Sequence, residues 1–257
     1  MSARDLDRSV RVQLKGLSKE NAEAVARHLV MVGRLIESDP AEAHRHALAA
    51  AERAGRIAVV RETVGITAYE VGDFARALRE LRTYRRISGR DDEVALMVDS
   101  ERGVGRPDRA LEIGRAVAAG ALSPAVRVAL AIAMSGARLD LGQTREARGE
   151  LEIPQLDETK VFDYSPQLFD AYAEVLEELG DGAAAGWRRR AVTARSALYT
   201  ASQAAADETV AVVDEVTDEA SDSGALDRAV AAGGDRAAVG NDAEAAGRGP
   251  GDGQDPA

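Results

Sequence analysis

Residues 65–81 read GITAYEVGDFARALREL, with two glycines and an alanine (Gly65, Gly72 and Ala77) set among helix-forming residues. Inside a helix each glycine costs about 1 kcal/mol relative to alanine, so each needs a positional reason. A tight chain reversal is one such reason, and close approach of two backbones is another. Both are met if Gly72 turns between two helices while Gly65 and Ala77 lie where those helices touch. The pattern recurs: Ala43, Ala77, Ala110, Ala147 and Ala185 superimpose at separations of 34, 33, 37 and 38 residues. Five residues before four of them stands a glycine, at Gly72, Gly105, Gly142 and Gly180, and before the first stands Ser38. Such spacing describes a helix-turn-helix unit repeated with a period near 34.

Helical punctuation extends outward from this block. Ser18 precedes a helix with Val25, Leu29, Val32 and Ile36 at helical spacing, and Asp39–Pro40 opens the next with proline at a tolerated first-turn position. Further helices are expected over 56–71, 73–87, 91–104, 107–119, from Ser123–Pro124 to about 141, from Thr144 to Pro154, from Ser165–Pro166, and over 182–206. Nothing alternates at period two long enough for a sheet, so the expected fold class is all-α.

Charge divides the chain unevenly. The whole carries −11, from 33 basic and 44 acidic residues. Residues 207–257 hold 13 acidic and 3 basic groups, so residues 1–206 carry 30 basic and 31 acidic, a net of −1. The segment 207–257 also lacks aromatics, and a disordered acidic tail is expected there because little apolar surface can offset the ordering entropy. The domains read as an N-terminal segment 1–19, a helical repeat domain 20–206 and the tail 207–257. Cysteine is absent, which excludes disulfides and thiolate chemistry. The longest weakly polar run, 128–137, is about half the length a membrane span requires. A cytoplasmic protein with no membrane partner is expected.

The repeat resembles the tetratricopeptide repeat (TPR), best in the unit from about Ala58 to Asp91. There Gly65 fits the motif's small residue on the first helix, Gly72 its turn glycine, Phe74 the aromatic after the turn and Ala77 the small residue on the second helix. Arg61 stands at the motif's tryptophan position, Val98 and Ser135 replace the first-helix glycine in the next two units, and Gly182 takes the aromatic's place in the fifth. The blocks RIAVVRETVGITAYEVGDFARALRELRTYRRISG and SERGVGRPDRAL are also similar to an actinobacterial family of TPR proteins. The resemblance implies about five degenerate repeats in a right-handed superhelix, with the first helices lining a concave face. Carried over by register, that face comprises His28, Glu62, Tyr69, Asp99, Arg102, Asp170, Glu174 and Glu177. The family's lysine–asparagine carboxylate clamp is absent from these positions. A mixed, acid-leaning groove of this kind suits a basic or amphipathic segment of another protein.

Arg79, Arg82 and Arg86 fall within about 60° of one another on a helix. The stripe is either a solvated outer face or a grip for RNA phosphates, making an RNA- or ribosome-associated protein the alternative. His44 and His46 point about 200° apart on one helix and His28 lies on another, which speaks against a shared metal. GVG in ERGVGRPDRAL lacks a preceding strand and reads as an inter-helix turn. Trp187 and Tyr172 sit on facing helices and are expected to plug one end of the array. No nucleophile–base pair, metal cluster or phosphate loop emerges, so the expectation is a non-enzymatic scaffold without cofactors.

Overall fold

Where the helices start is decided by their caps. Ser18, Asp39, Asp73 and Ser123 accept hydrogen bonds from the backbone N–H three residues ahead, at 3.3, 2.9, 3.0 and 3.3 Å. Each satisfies a donor that a helix end leaves unpaired. The computed structural model describes residues 5–208. Its helices are α1 (Arg8–Gln13), α2 (Lys19–Leu35), α3 (Pro40–Ala54), α4 (Ala58–Glu70), α5 (Phe74–Ser88), α6 (Val94–Gly103), α7 (Pro107–Arg115), α8 (Pro124–Asp140), α9 (Thr144–Leu151), α10 (Ser165–Glu178) and α11 (Ala184–Glu208). Among the described residues there is no strand, and no helix is long and apolar enough to cross a membrane. All but the first two residues of the expected tail, 207–257, lie outside the described residues.

From α2 onward, each helix packs on its neighbour in sequence, giving five hairpins: α2–α3, α4–α5, α6–α7, α8–α9 and α10–α11. The first helices also touch across hairpins, α2 to α4, α4 to α6, α6 to α8 and α8 to α10. Glycines make the reversals possible. Gly72, Gly105, Gly142 and Gly180 all have positive φ, between 69° and 76°, a region that a side chain disfavours. Gly65 has the other role: a Cβ built there would lie 2.5 Å from Leu81 Cδ2 on α5. Ala43, Ala77, Ala110 and Ala147 are fully buried, as expected of residues at close helix contacts.

The fifth unit breaks this register. Ala185 is exposed, and Ala184 is the buried residue. The helix start differs as well: α5, α7 and α9 begin two residues after their turn glycine, whereas α11 begins four after Gly180. The start of α10 differs too. Ser165 lies inside the first turn of α10, and its hydroxyl accepts from the Phe162 N–H at 2.9 Å, holding the preceding turn rather than capping the helix. The N-terminal segment also contributes to the body. Gln13 Oε1 accepts from the Val59 N–H at 3.1 Å, and Leu14 is buried against Val25 and Val60.

Within and between the hairpins, carboxylates withdrawn from solvent meet arginines. Glu80 on α5 receives Arg61 at 2.6 Å and Arg79 at 3.2 Å. Glu101 on α6, fully buried, receives Arg82 from α5, with Arg106 Nε 2.9 Å from its second oxygen. Glu150 on α9 lies 3.1 Å from Arg138. A carboxylate taken out of water needs such partners to remain charged. At the C-terminal end, Trp187 meets Tyr172 edge-on at 5.0 Å and Phe169 at 5.3 Å, within the largest apolar cluster.

Candidate functional site

Four first helices, α4, α6, α8 and α10, leave an open groove of about 540 Å³ between them. Its floor is apolar. Ala125, Val128, Ala129 and Ile132 recur along one face of α8, with Ala95 and Leu96 of α6 beside them. Ala125 and Ala129 are exposed, so the groove exists where α8 presents methyl groups in place of larger side chains. A volume of this size, apolar with a few placed polar groups, is typical of binding clefts.

One end of the groove is polar and rigid. The Tyr69 hydroxyl of α4 donates to Asp99 Oδ2 of α6, and Arg102 NH1 donates to Asp99 Oδ1 at 2.5 Å. The same guanidinium bonds Asp140 at the end of α8, Nε to Oδ2 at 2.7 Å and NH2 to Oδ1 at 3.2 Å. Gly136 makes room for it, since a Cβ there would overlap the Arg102 guanidinium. Burial pushes the Tyr69 phenol well above its ordinary pKa, and the hydrogen bond to Asp99 adds to this. Burial opposes the charge on Arg102, but Asp140 and Asp99 outweigh it and hold its pKa above the usual value. Tyr69, Asp99, Arg102 and Asp140 therefore form a fixed hydrogen-bonded network at neutral pH.

The other end is built by the loop before α10. Asp163, Tyr164 and Gln167 line it. Reciprocal bonds pin the turn, Phe162 N–H to Ser165 Oγ at 2.9 Å and Ser165 N–H to the Phe162 carbonyl at 2.8 Å. Phe162 stacks on Tyr164 with centroids 5.2 Å apart, and Val161 and Phe162 remain 44% exposed. Val161 itself faces a separate shallow pocket against α11, with Phe169 and Arg190.

The residues placed on the concave face by register divide into four groups. Tyr69, Asp99 and Arg102 share the groove. Glu62 is half-buried at the junction of α4, α5 and α6 near Tyr84, and burial raises its pKa. Asp170 and Glu177 instead face α11, Asp170 bonding Arg195 at 2.5 Å and Glu177 bonding Arg188 at 2.7 and 3.0 Å, with Glu174 close enough to Arg188 to act on it electrostatically. His28 stands apart on α2. Its Nδ1 lies 2.9 Å from Nδ1 of His46 on α3, so the hairpin joins two histidines that sequence spacing had kept apart. One of this pair must be the donor and the other the acceptor, and burial depresses the His28 pKa. Among the described residues no three His, Asp or Glu side chains are grouped to hold a metal.

The arginine stripe is partly engaged. Arg79 pairs with Glu80 and Arg82 with Glu101; Arg86 is exposed and joins no ion pair among the described residues. Sequence reasoning missed Asp163, Tyr164, Gln167 and the α8 face. The one available signal was the alternation of Ala125 and Ala129 with buried Val128 and Leu130 inside the long eighth helix. No protein-family model matches this chain, and no curated protein matches it significantly.

Proposed function

We propose that the five hairpins form a TPR-like right-handed superhelix and that the chain is a non-enzymatic scaffold holding a segment of another protein along its first helices. One observation carries this reading: four successive first helices frame a single groove with an apolar floor and polar ends. Side chains of a ligand segment would lie on Ile132, Leu96 and the α8 alanines, while Tyr69, Asp99 and Arg102 fix its orientation. The ion pairs of Arg79 and Arg82 favour this over phosphate binding, because RNA would have to compete with buried carboxylates for those guanidinia.

The test is comparative capture. The protein and its Ala129→Trp variant, which fills the groove from an exposed position, are cross-linked in native extract and the captured proteins quantified by mass spectrometry. Proteins lost from the variant at least about tenfold support a groove-bound partner. An identical set from both, or capture that disappears on ribonuclease treatment, overturns it.

A further inference from the structure

We infer that the groove selects a basic amphipathic segment, one presenting large apolar side chains flanked by lysine or arginine. This rests on the groove reading above and adds the chemistry of the occupant. Around the groove stand three carboxylates, Asp99, Asp140 and Asp163, against one guanidinium, Arg102. Arg102 is already shared between Asp99 and Asp140, so it has little capacity for an incoming anion. Asp163 is exposed, joins no ion pair among the described residues, and stands at the end opposite Arg102's cluster. An incoming cation at Asp163 meets an uncompensated charge, whereas an incoming carboxylate meets like charge at both ends, a juxtaposition that is costly across an interface.

The apolar half of the specificity comes from the floor. Leu96, Val128 and Ile132 offer no hydrogen-bond partner, so polar ligand side chains placed there would be desolvated without return. Tyr164, stacked on the exposed Phe162, borders that floor beside Asp163.

Two synthetic fluorescent peptides provide the test, both with leucines at i, i+3, i+4 and i+7, one with lysine and one with glutamate at the flanking positions. Fluorescence anisotropy is read on the full chain, on Ala129→Trp and on Asp163→Asn. The lysine peptide is expected to bind about tenfold or more tightly than the glutamate peptide, to lose binding to Ala129→Trp, and to lose most of its preference with Asp163→Asn. Its affinity should also weaken as salt rises, because the pair at Asp163 is exposed. If both peptides bind equally and both are lost with Ala129→Trp, the groove stands and the basic preference falls. If neither binds, or Ala129→Trp changes nothing, the groove itself is not a peptide site.

Discussion

The α4–α5 hairpin and the groove face of α8 use the same small residues to opposite ends. In the hairpin, Ala77 is fully buried and Gly65 lies under Leu81, so the small side chains let two backbones close on each other. On α8, Ala125 and Ala129 are exposed and nothing closes over them, so they leave a groove. Residue identity does not separate the two cases; what lies opposite does. Substitutions that enlarge these residues should therefore diverge sharply.

The largest divergence is expected at Ala77. Overpacking a core costs about 1–3 kcal/mol, and a buried unpaired charge adds several more. Ala77→Arg should lower the melting temperature by many degrees or prevent folding, read by circular dichroism. A variant melting within a degree of the parent would mean that α4 and α5 do not meet at this alanine.

A second divergence lies along the arginine stripe, between positions one turn apart. Arg82 partners the buried Glu101, while Arg86 points into solvent. Arg82→Gln should cost about 1–3 kcal/mol in urea unfolding, because Glu101 keeps only Arg106. Arg86→Gln should change stability by less than about 0.5 kcal/mol. Equal effects would show that the pairing with Glu101 contributes nothing particular.

Much of the fold was legible because it depends on local chemistry. Caps at Ser18, Asp39, Asp73 and Ser123, prolines in first turns and turn glycines are all set within a few residues, and the structure agrees with them. The buried alanines followed from a period, and that reading failed in the fifth unit, where α11 starts later after its turn glycine and Ala184 is buried in place of Ala185. The groove was harder to read. Tyr69, Asp99 and Arg102 lie on two adjacent first helices and line one groove. Asp170 and Glu177 pair with Arg195 and Arg188 of α11, partners that no single-helix pattern reveals. Asp163 and Tyr164 come from a loop whose position is fixed by tertiary bonds to Ser165, and Asp140 enters only through Arg102.

The junction beside the groove offers a smaller contrast, in pH. Glu93 precedes α6, and burial together with the charges of Glu62 and Asp92 pushes its pKa up to about 7, with Arg90 opposing. Glu62 is itself raised and Tyr84 lies close to it. A carboxyl whose folded pKa exceeds the unfolded value of 4.5 favours the folded state when protonated. That stabilisation is complete below about pH 4.5 and is lost as pH rises through about 7. After allowing for water at this half-buried site, the loss should be about 1 kcal/mol. Chemical denaturation at pH 5 and pH 8 should show it as the difference between parent and Glu93→Gln, the parent losing about 1 kcal/mol more over that interval. Equal pH dependence in the two would place Glu93 in better contact with water than its burial implies.

The smallest effect is expected at Ala129, and it completes the comparison with Ala77. Tryptophan adds far more volume than the overpacking limit of a core allows, yet at an exposed position facing an open groove it has space to occupy. Ala129→Trp should therefore shift stability by no more than about 0.5 kcal/mol, with an unchanged far-ultraviolet spectrum. Contact with Ile132 and Leu96 would bury part of the indole, adding roughly 25 cal/mol for each Å² of apolar surface removed from water. A slight rise in melting temperature is thus as consistent with an open groove as no change. A fall comparable to that of Ala77→Arg would mean that another part of the chain already covers the α8 face, and the alanine there would then be a packing residue like the other four.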